Sequence, residues 1–228
     1  MMHTALGQFF TAPMDNDVSC RALFDIINGV SPSLMPLKYG KTEPLRQVFI
    51  VDAIADEWND AIFWKGKKPE SLGSYSPHDR FHPHDIVRYA VTGGKWTTIL
   101  ADLQARLAER FTTYFGYVHV VADAHVYLPE YGKRIMPFGQ GLAWHEMEKR
   151  LPCVAWSMWF GPEYVQKIGR DKLLSAPVYR VTESAAGIHL QITESAQLLI
   201  DDYPAYRVHR DALVAHLGPD VVAPIVVE

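Results

Sequence analysis

The pattern of apolar residues is clearest between Leu151 and Thr193, and this stretch organises the predicted fold. From Val154 to Phe160, apolar side chains occupy most of the odd and the even positions, which is typical of a strand that is buried on both faces. Gly161-Pro162 ends the strand. The proline suits the first turn of a helix, because an N–H at that position has no intrahelical partner. The pattern therefore predicts a buried strand followed directly by a short helix.

The same stretch continues into a hairpin. One face of the short helix is apolar, and Gly169 is placed to end it. Strands are predicted over 178–183 and 188–193, and the small residues of 185–187 form the turn between them. No catalytic signature lies in this stretch, so it indicates architecture rather than chemistry.

The remaining periodicities predict further strands and helices on both sides of it. Strands are predicted over 61–65, 71–76, 86–92 and 117–122, and residues 8–16 are predicted to form a short strand or an extended arm. Four helices are predicted. The first has Asp17 or Ser19 as its N-cap and ends near residue 30, and the others cover 48–58, 95–115 and 204–217. Gly116 is expected to cap the third.

Few of these strands are separated by long helices. We therefore expect an α+β fold with a largely antiparallel sheet, or sheets, packed by several helices. A single domain over 1–228 is the simplest arrangement for a chain of 228 residues. Both halves, 1–122 and 123–228, carry strands followed by a helix, which leaves open a loosely duplicated architecture.

Composition and charge exclude several classes of protein for this chain. Apolar residues make up 48% of the chain and charged residues 21%, which is ordinary for a globular protein, and no apolar run reaches the length of a membrane span. The N-terminus lacks the features of a signal peptide, and we expect the two cysteines to be reduced thiols in the cytoplasm. A net charge of −4 without a basic stripe argues against nucleic acid. It would suit a basic protein partner.

One histidine-rich loop is a candidate metal site. His78, His82 and His84 lie close to two aspartates, and imidazole with carboxylate is a donor set that zinc accepts. The spacing is not one of the standard zinc patterns, and a loop makes a poor rigid cage. We therefore predict no metal and no cofactor.

Catalytic motifs are absent. His145-Glu146 begins the string HEMEKR, but Lys149 stands where a zinc protease needs its second histidine. GxSxG, GxGxxG and GxxxxGK[ST] do not occur. Cys153 sits in the predicted buried strand, which favours an inert core thiol. We therefore expect a protein that is not an enzyme.

The organising stretch resembles a known group of proteins. The string LPCVAWSMWFGPEYVQKIGRDKLLSAP is similar to the C-terminal core of bacterial immunity proteins from polymorphic toxin systems. The resemblance is to the immunity protein 52 type and to a related type VI secretion immunity group, and it covers about residues 95–217. The matching positions are Trp156, Gly161, Ile168-Gly169, Asp171-Lys172-Leu173, the string GIHLQIT and the segment Tyr203-Pro204-Ala205-Tyr206.

This resemblance implies a non-enzymatic cytoplasmic protein that binds a cognate protein toxin and blocks it, with no membrane or nucleic-acid partner. The matched positions are structural, so the contact residues have to be sought elsewhere. A partner surface needs aromatic or arginine anchors surrounded by polar groups, and the long loop over 31–47 is a candidate for it. The expected contact residues are Tyr39, Lys41, Glu43, Trp64, Lys65, Asp79, Arg80, Tyr127 and Tyr131.

Two alternatives remain open from the residues alone. One is a structural α+β homodimer that associates through an uncovered sheet edge. The other is a metal-dependent enzyme that uses the loop of His78, His82 and His84.

Overall fold

The computed structural model describes residues 3–80, 83–122, 149–151 and 154–223, and their strands form one sheet. The strands are β1 His3–Thr11, β2 Lys38–Gly40, β3 Gln47–Val48, β4 Ile62–Lys67, β5 Glu70–Ser76, β6 Asp85–Thr92, β7 Thr113–Ala122, β8 Ser157–Phe160, β9 Arg180–Ser184 and β10 Gly187–Gln191. Their order is β3-β2-β4-β5-β6-β1-β7-β8-β10-β9. Every recorded neighbour pair is antiparallel, so the predicted α+β class is confirmed.

Seven α-helices accompany the sheet within the described ranges. They are α1 Asp17–Val30, α2 Val51–Ala55, α3 Thr97–Arg110, α4 Pro162–Ile168, α5 Arg170–Leu174, α6 Gln197–Asp201 and α7 Tyr203–Leu217. The N-cap of α1 is Asn16, whose side chain accepts a hydrogen bond from the backbone N–H of Ser19, so the predicted caps Asp17 and Ser19 were wrong.

The organising stretch folds largely as predicted. Strand β8 is followed by α4, which begins at Pro162 and ends before Gly169, where φ is +102°. The hairpin of β9 and β10 lies further along the chain, and β10 pairs with β8. Helix α5 was not predicted. It occupies the segment between Gly169 and the hairpin.

Strand β1 lies at the centre of the sheet. It pairs with β6 on one side and with β7 on the other along its length, whereas the sequence indicated only a short strand or an arm over 8–16. An irregularity between Phe10 and Thr11 leaves Tyr114 as an extra residue in β7, which is a β-bulge. Its partners come from residues 85–122, so the pairing depends on contacts distant in sequence.

Two predicted helices were too long. Helix α3 ends at Arg110, and β7 begins three residues later at Thr113, so Gly116 lies within a strand and is not a cap. The apolar spacing continues through Phe111 and Tyr114, but the β-branched pair Thr112-Thr113 between them favours extended backbone. The predicted helix over 48–58 is likewise reduced to α2, with the short strand β3 before it.

The helices divide between the two faces of the sheet. A Cβ at Gly116 of β7 would lie 3.0 Å from the Gln104 side chain of α3, whereas the ring of the neighbouring Phe115 lies 5.3 Å from Tyr164 of α4. Successive residues of a strand point to opposite faces. Helix α3 therefore covers the first face, together with α1, and α4 covers the second face near β7, β8 and β10.

Candidate protein-binding surface

On the second face, β4 and β5 carry side chains that stay partly or largely exposed, among them Lys65 and Leu72. Residues that stand directly opposite each other on antiparallel strands share a face, so the strand register identifies the side chains there. One row crosses six strands and consists of Val48, Lys38, Lys65, Leu72, Ala90 and Leu6. The adjacent row consists of Phe63, Ser74, Arg88, Gln8 and Tyr117. We call these two rows the open face.

The first row of the open face is apolar and accessible, whereas Ser74, Gln8 and Tyr117 in the adjacent row are buried. The side chains of Val48 and Leu72 are 70% and 46% exposed, and those of Leu6 and Ala90 are half-buried. A concavity of about 470 Å³ lies on this part of the sheet and is lined by Leu6, Lys65, Leu72 and Ala90 among others. Exposed apolar groups gathered in one place, rather than scattered singly, are characteristic of interaction sites.

Three cations belong to the same surface. Lys38, Lys65 and Arg88 form no ion pair with any residue of the described ranges. The Nε–H of Arg88 is buried and has no hydrogen-bond acceptor among those residues. Burial lowers the pKa of the Arg88 guanidinium below its ordinary value, and Tyr117 opposes this effect. The carboxylate of Glu70 also lines the concavity, but the three cations outnumber it, so this surface is locally positive although the chain as a whole carries −4.

Two of the predicted contact residues are part of the core. Trp64 is fully buried, with its ring 5.3 Å from Phe24 and 6.0 Å from Tyr89. Tyr39 is 4% exposed, and burial raises the pKa of its hydroxyl. The expectation that these two aromatic groups are exposed was wrong, because both point to the first face of the sheet.

Other predicted residues lie near the open face or in loops. Lys65 belongs to the open face itself. Lys41 pairs with Asp60 at 2.8 Å and with Glu57 at 3.3 Å, and these carboxylates raise the pKa of its ammonium. Glu43 accepts a hydrogen bond from the backbone N–H of Leu45. Their roles as partner contacts stay predictions.

The loop between β5 and β6 holds two further candidates, Asp79 and Arg80, and both are exposed. Tyr127 and Tyr131 lie outside the described residues. So do His82 and Cys153.

The histidine-rich loop is organised by a buried carboxylate. Asp85 Oδ2 accepts hydrogen bonds from the Met14 backbone N–H and from the Tyr75 hydroxyl, both at 2.6 Å. Asp85 Oδ1 accepts from the His78 backbone N–H at 2.7 Å and lies 2.8 Å from His78 Nδ1. Burial, aided by the bond to Asp85, raises the pKa of Tyr75. Asp85 therefore holds His78 as part of the fold.

These contacts leave little for a metal among the described groups. His84 is 7% exposed, and its ring lies 3.9 Å from that of Tyr114. Within the ranges that the structure describes, no three His, Cys, Asp or Glu side chains are placed to hold a metal ion. The metal hypothesis also requires His82, so it stays a prediction.

Ser157 and His189 have the contact expected of a nucleophile and its base. Ser157 Oγ lies 2.7 Å from His189 Nε2 and donates to Gln104 Oε1 at 2.9 Å. Burial, with a smaller effect of Arg180, lowers the pKa of His189 to about 4, so the imidazole is neutral at neutral pH. However, Ser157 is fully buried, and a substrate cannot reach its hydroxyl. The contact links α3 to β8 and β10.

Two central residues of the open face, Leu72 and Arg88, were not singled out from the sequence. A signal for Arg88 was present, because it is the one charged residue in the predicted strand IVRYAVT. Its neighbours Val87 and Tyr89 are fully buried, so alternation alone places Arg88 on the opposite face. Leu72 carries no such signal, because nothing local shows which face of β5 stays exposed.

Comparison with known proteins identifies the fold. No family model matches the chain, and no curated protein matches it significantly. Among solved structures, the chain is similar to the Pseudomonas aeruginosa T6SS protein PA0821, with a TM-score of 0.57 and 13% sequence identity. The similarity covers 94% of this chain and 73% of that one. At this identity it shows a shared fold. None of the helices in the described part of the chain combines the length and hydropathy that a bilayer crossing needs.

Proposed function

We propose that this protein is a type VI secretion immunity protein that binds a cognate bacterial toxin in the cytoplasm and neutralises it without catalysis. Three independent features support the proposal. The segment after Leu151 resembles that of immunity proteins, the fold is shared with a protein that is described as belonging to a type VI secretion system, and the sheet presents an open face. The open face is the observation that carries the proposal.

The composition of the open face suits a protein partner. Apolar side chains such as Leu72 lie at its centre, and the cations Lys38, Lys65 and Arg88 lie among them. Protein interfaces combine an apolar centre with arginine and with polar groups at the rim. A small-molecule site would instead be an enclosed pocket with convergent polar groups.

The length of the open face can be compared with the size of a standard interface. Six strands at about 4.8 Å spacing make the row from Val48 to Leu6 about 24 Å long. A standard interface buries about 800 Å² on each partner, which corresponds to a patch about 32 Å across. The open face would therefore supply most of one dimension of such an interface, and residues beyond its two rows would have to supply the remaining area.

A pull-down against the products of the flanking genes tests this proposal. The bait is the wild-type chain, and two variants each add a carboxylate at an exposed apolar position. Leu72→Asp alters the open face, whereas Val208→Asp alters the 68%-exposed Val208 on α7 and serves as the matched control. Circular dichroism checks that both variants fold.

We expect the wild type and Val208→Asp to retain one flanking product. Leu72→Asp should bind it at least about tenfold more weakly, because a charge would be buried at the centre of the contact. The proposal fails if the folded wild type retains none of the flanking products. The open face is the wrong surface if Leu72→Asp binds as well as the wild type.

Self-association is a second candidate, and the sheet edge favours it. Strand β9 is the last strand of the described sheet, and four of its five residues are exposed. An uncovered edge offers backbone N–H and C=O groups to a second copy. One feature of the edge opposes this association. Arg170 forms an ion pair with Glu183 of β9 at 2.7 Å, and charged side chains on an edge strand disfavour its pairing with a second copy. Light scattering at several concentrations decides the matter, because a monomer throughout would exclude the homodimer.

A further inference from the structure

Arg88 occupies an unusual position for a charged residue. It lies in the middle of β6, next to the central strand β1, and its register neighbours are Ser74 on β5 and Gln8 on β1. Both neighbours are neutral, and so are Phe63 and Tyr117 further along the same row. No carboxylate stands in this row to balance the guanidinium.

Within the described ranges, no contact compensates for the burial of this charge. Arginine is rarely buried without a partner, because desolvating its charge is unfavourable. The Nε–H of Arg88 has no acceptor among the described residues, and no described carboxylate forms an ion pair with its guanidinium. An apolar residue of similar volume would fit the half-buried position on β6 without the unpaired charge. The contacts of the described residues therefore do not account for Arg88.

We propose that Arg88 anchors the toxin by binding a carboxylate on an acidic patch of the toxin surface. This proposal rests on the proposed function. The planar guanidinium can bind both oxygens of a carboxylate, which fixes orientation as well as distance. Lys38 and Lys65 lie on the same face and extend the positive field that attracts an acidic surface. The local charge of the open face thus selects an acidic contact surface, opposite to what the net charge of −4 suggested.

Three arginine variants test the assignment. Arg88→Met removes the charge and keeps much of the volume, and Arg88→Lys keeps the charge without the planar fork. Arg106→Met is the control, because Arg106 is exposed on α3 and pairs with Asp102 at 3.8 Å. Two quantities are measured for each: the melting temperature of the free chain, and the affinity for the flanking-gene product that the wild type retains, at low and at high salt.

We expect Arg88→Met to melt at or above the wild-type temperature and to bind at least about a hundredfold more weakly, with a smaller salt dependence. Arg88→Lys should lose about tenfold in affinity, because one of the two hydrogen bonds is lost. Arg106→Met should bind like the wild type. A residue that only supported the fold would give the opposite result, with lowered stability and unchanged affinity.

The outcomes separate the two proposals. Unchanged affinity of Arg88→Met would overturn the role of Arg88 while the immunity function stands. If Arg88→Met does not fold, unchanged affinity of Arg88→Lys would overturn it equally. Failure of the wild type to retain any flanking product would overturn the immunity function and the anchor with it.

Discussion

The orientation of β4 decides which side chains reach the open face, and Gly73→Ala tests that orientation. Gly73 stands opposite Trp64 in the β4–β5 register. A Cβ added at Gly73 would lie 2.0 Å from Trp64 Nε1 and 2.3 Å from Cε2. The indole cannot move away easily, because it is fully buried among aromatic rings such as those of Phe24 and Tyr89.

The expected loss of stability follows from two opposing effects. Forcing an extra carbon into a packed core destabilises by about 3 kcal/mol at the upper end of the usual range. Replacing glycine by alanine restricts the unfolded chain and returns about 0.4 to 1 kcal/mol. Gly73→Ala should therefore lower the free energy of unfolding by about 2 kcal/mol, which corresponds to a melting temperature roughly 4 to 8 °C lower for a chain of this size.

Urea unfolding followed by tryptophan fluorescence measures this loss. The control is Gly29→Ala on α1, where nothing lies within 4 Å of the added Cβ, and it should gain up to about 1 kcal/mol. Trp64→Phe removes the atoms that would clash, so the double variant Trp64→Phe with Gly73→Ala should be less destabilised than the sum of the two single variants. A Gly73→Ala variant as stable as the wild type would refute the inward orientation of Trp64, and with it the outward orientation of Phe63 and Lys65.

Further predictions concern the buried polar groups. Asp85→Ala should lower the free energy of unfolding by about 3 kcal/mol in a denaturant titration, because several buried donors lose their acceptor; an unchanged midpoint would contradict the network. The pKa of His189 falls from 6.5 to about 4 on folding, so its contribution is complete above pH 6.5 and is lost as the pH falls toward 4. His189→Gln should therefore flatten the pH dependence of stability in that window, and an unaltered slope would count against the burial of the imidazole. Burial raises the pKa of Cys20 to about 12, so Ellman's reagent should reach this thiol only after unfolding. Zinc should leave the melting temperature unchanged, because Asp85 already engages His78; stabilisation by zinc would instead support the metal hypothesis.

Local sequence patterns identified the elements that depend on local physics. The strand over 86–92 was evident from its β-branched and aromatic residues, and β6 covers it. The helix after Gly161-Pro162 began and ended where proline and glycine indicate. In contrast, β1 is defined by partners 74 to 119 residues away, and Gly7 and Gln8 obscure its apolar pattern, so its central position was not visible locally.

The candidate surface was found only in part for a related reason. The strand Ala61–Lys65 was identified, but Trp64 and Lys65 were both treated as exposed, although neighbouring residues of a strand face opposite ways. Applying that alternation would have kept Lys65 and removed Trp64. Which face stays exposed at β4 and β5 of the described sheet depends on the packing of α1 and α3 against the first face, and no local pattern contains that information.

The most direct test of the immunity function is a growth assay. Cells that produce the toxin candidate encoded beside this gene are grown with the wild type, with Leu72→Asp, with Arg88→Met or with Val208→Asp. The wild type and Val208→Asp should restore growth, and the two open-face variants should not, although all four chains accumulate to equal levels. The account is contradicted if the wild type protects against none of the flanking products, or if Leu72→Asp and Arg88→Met protect as well as the wild type.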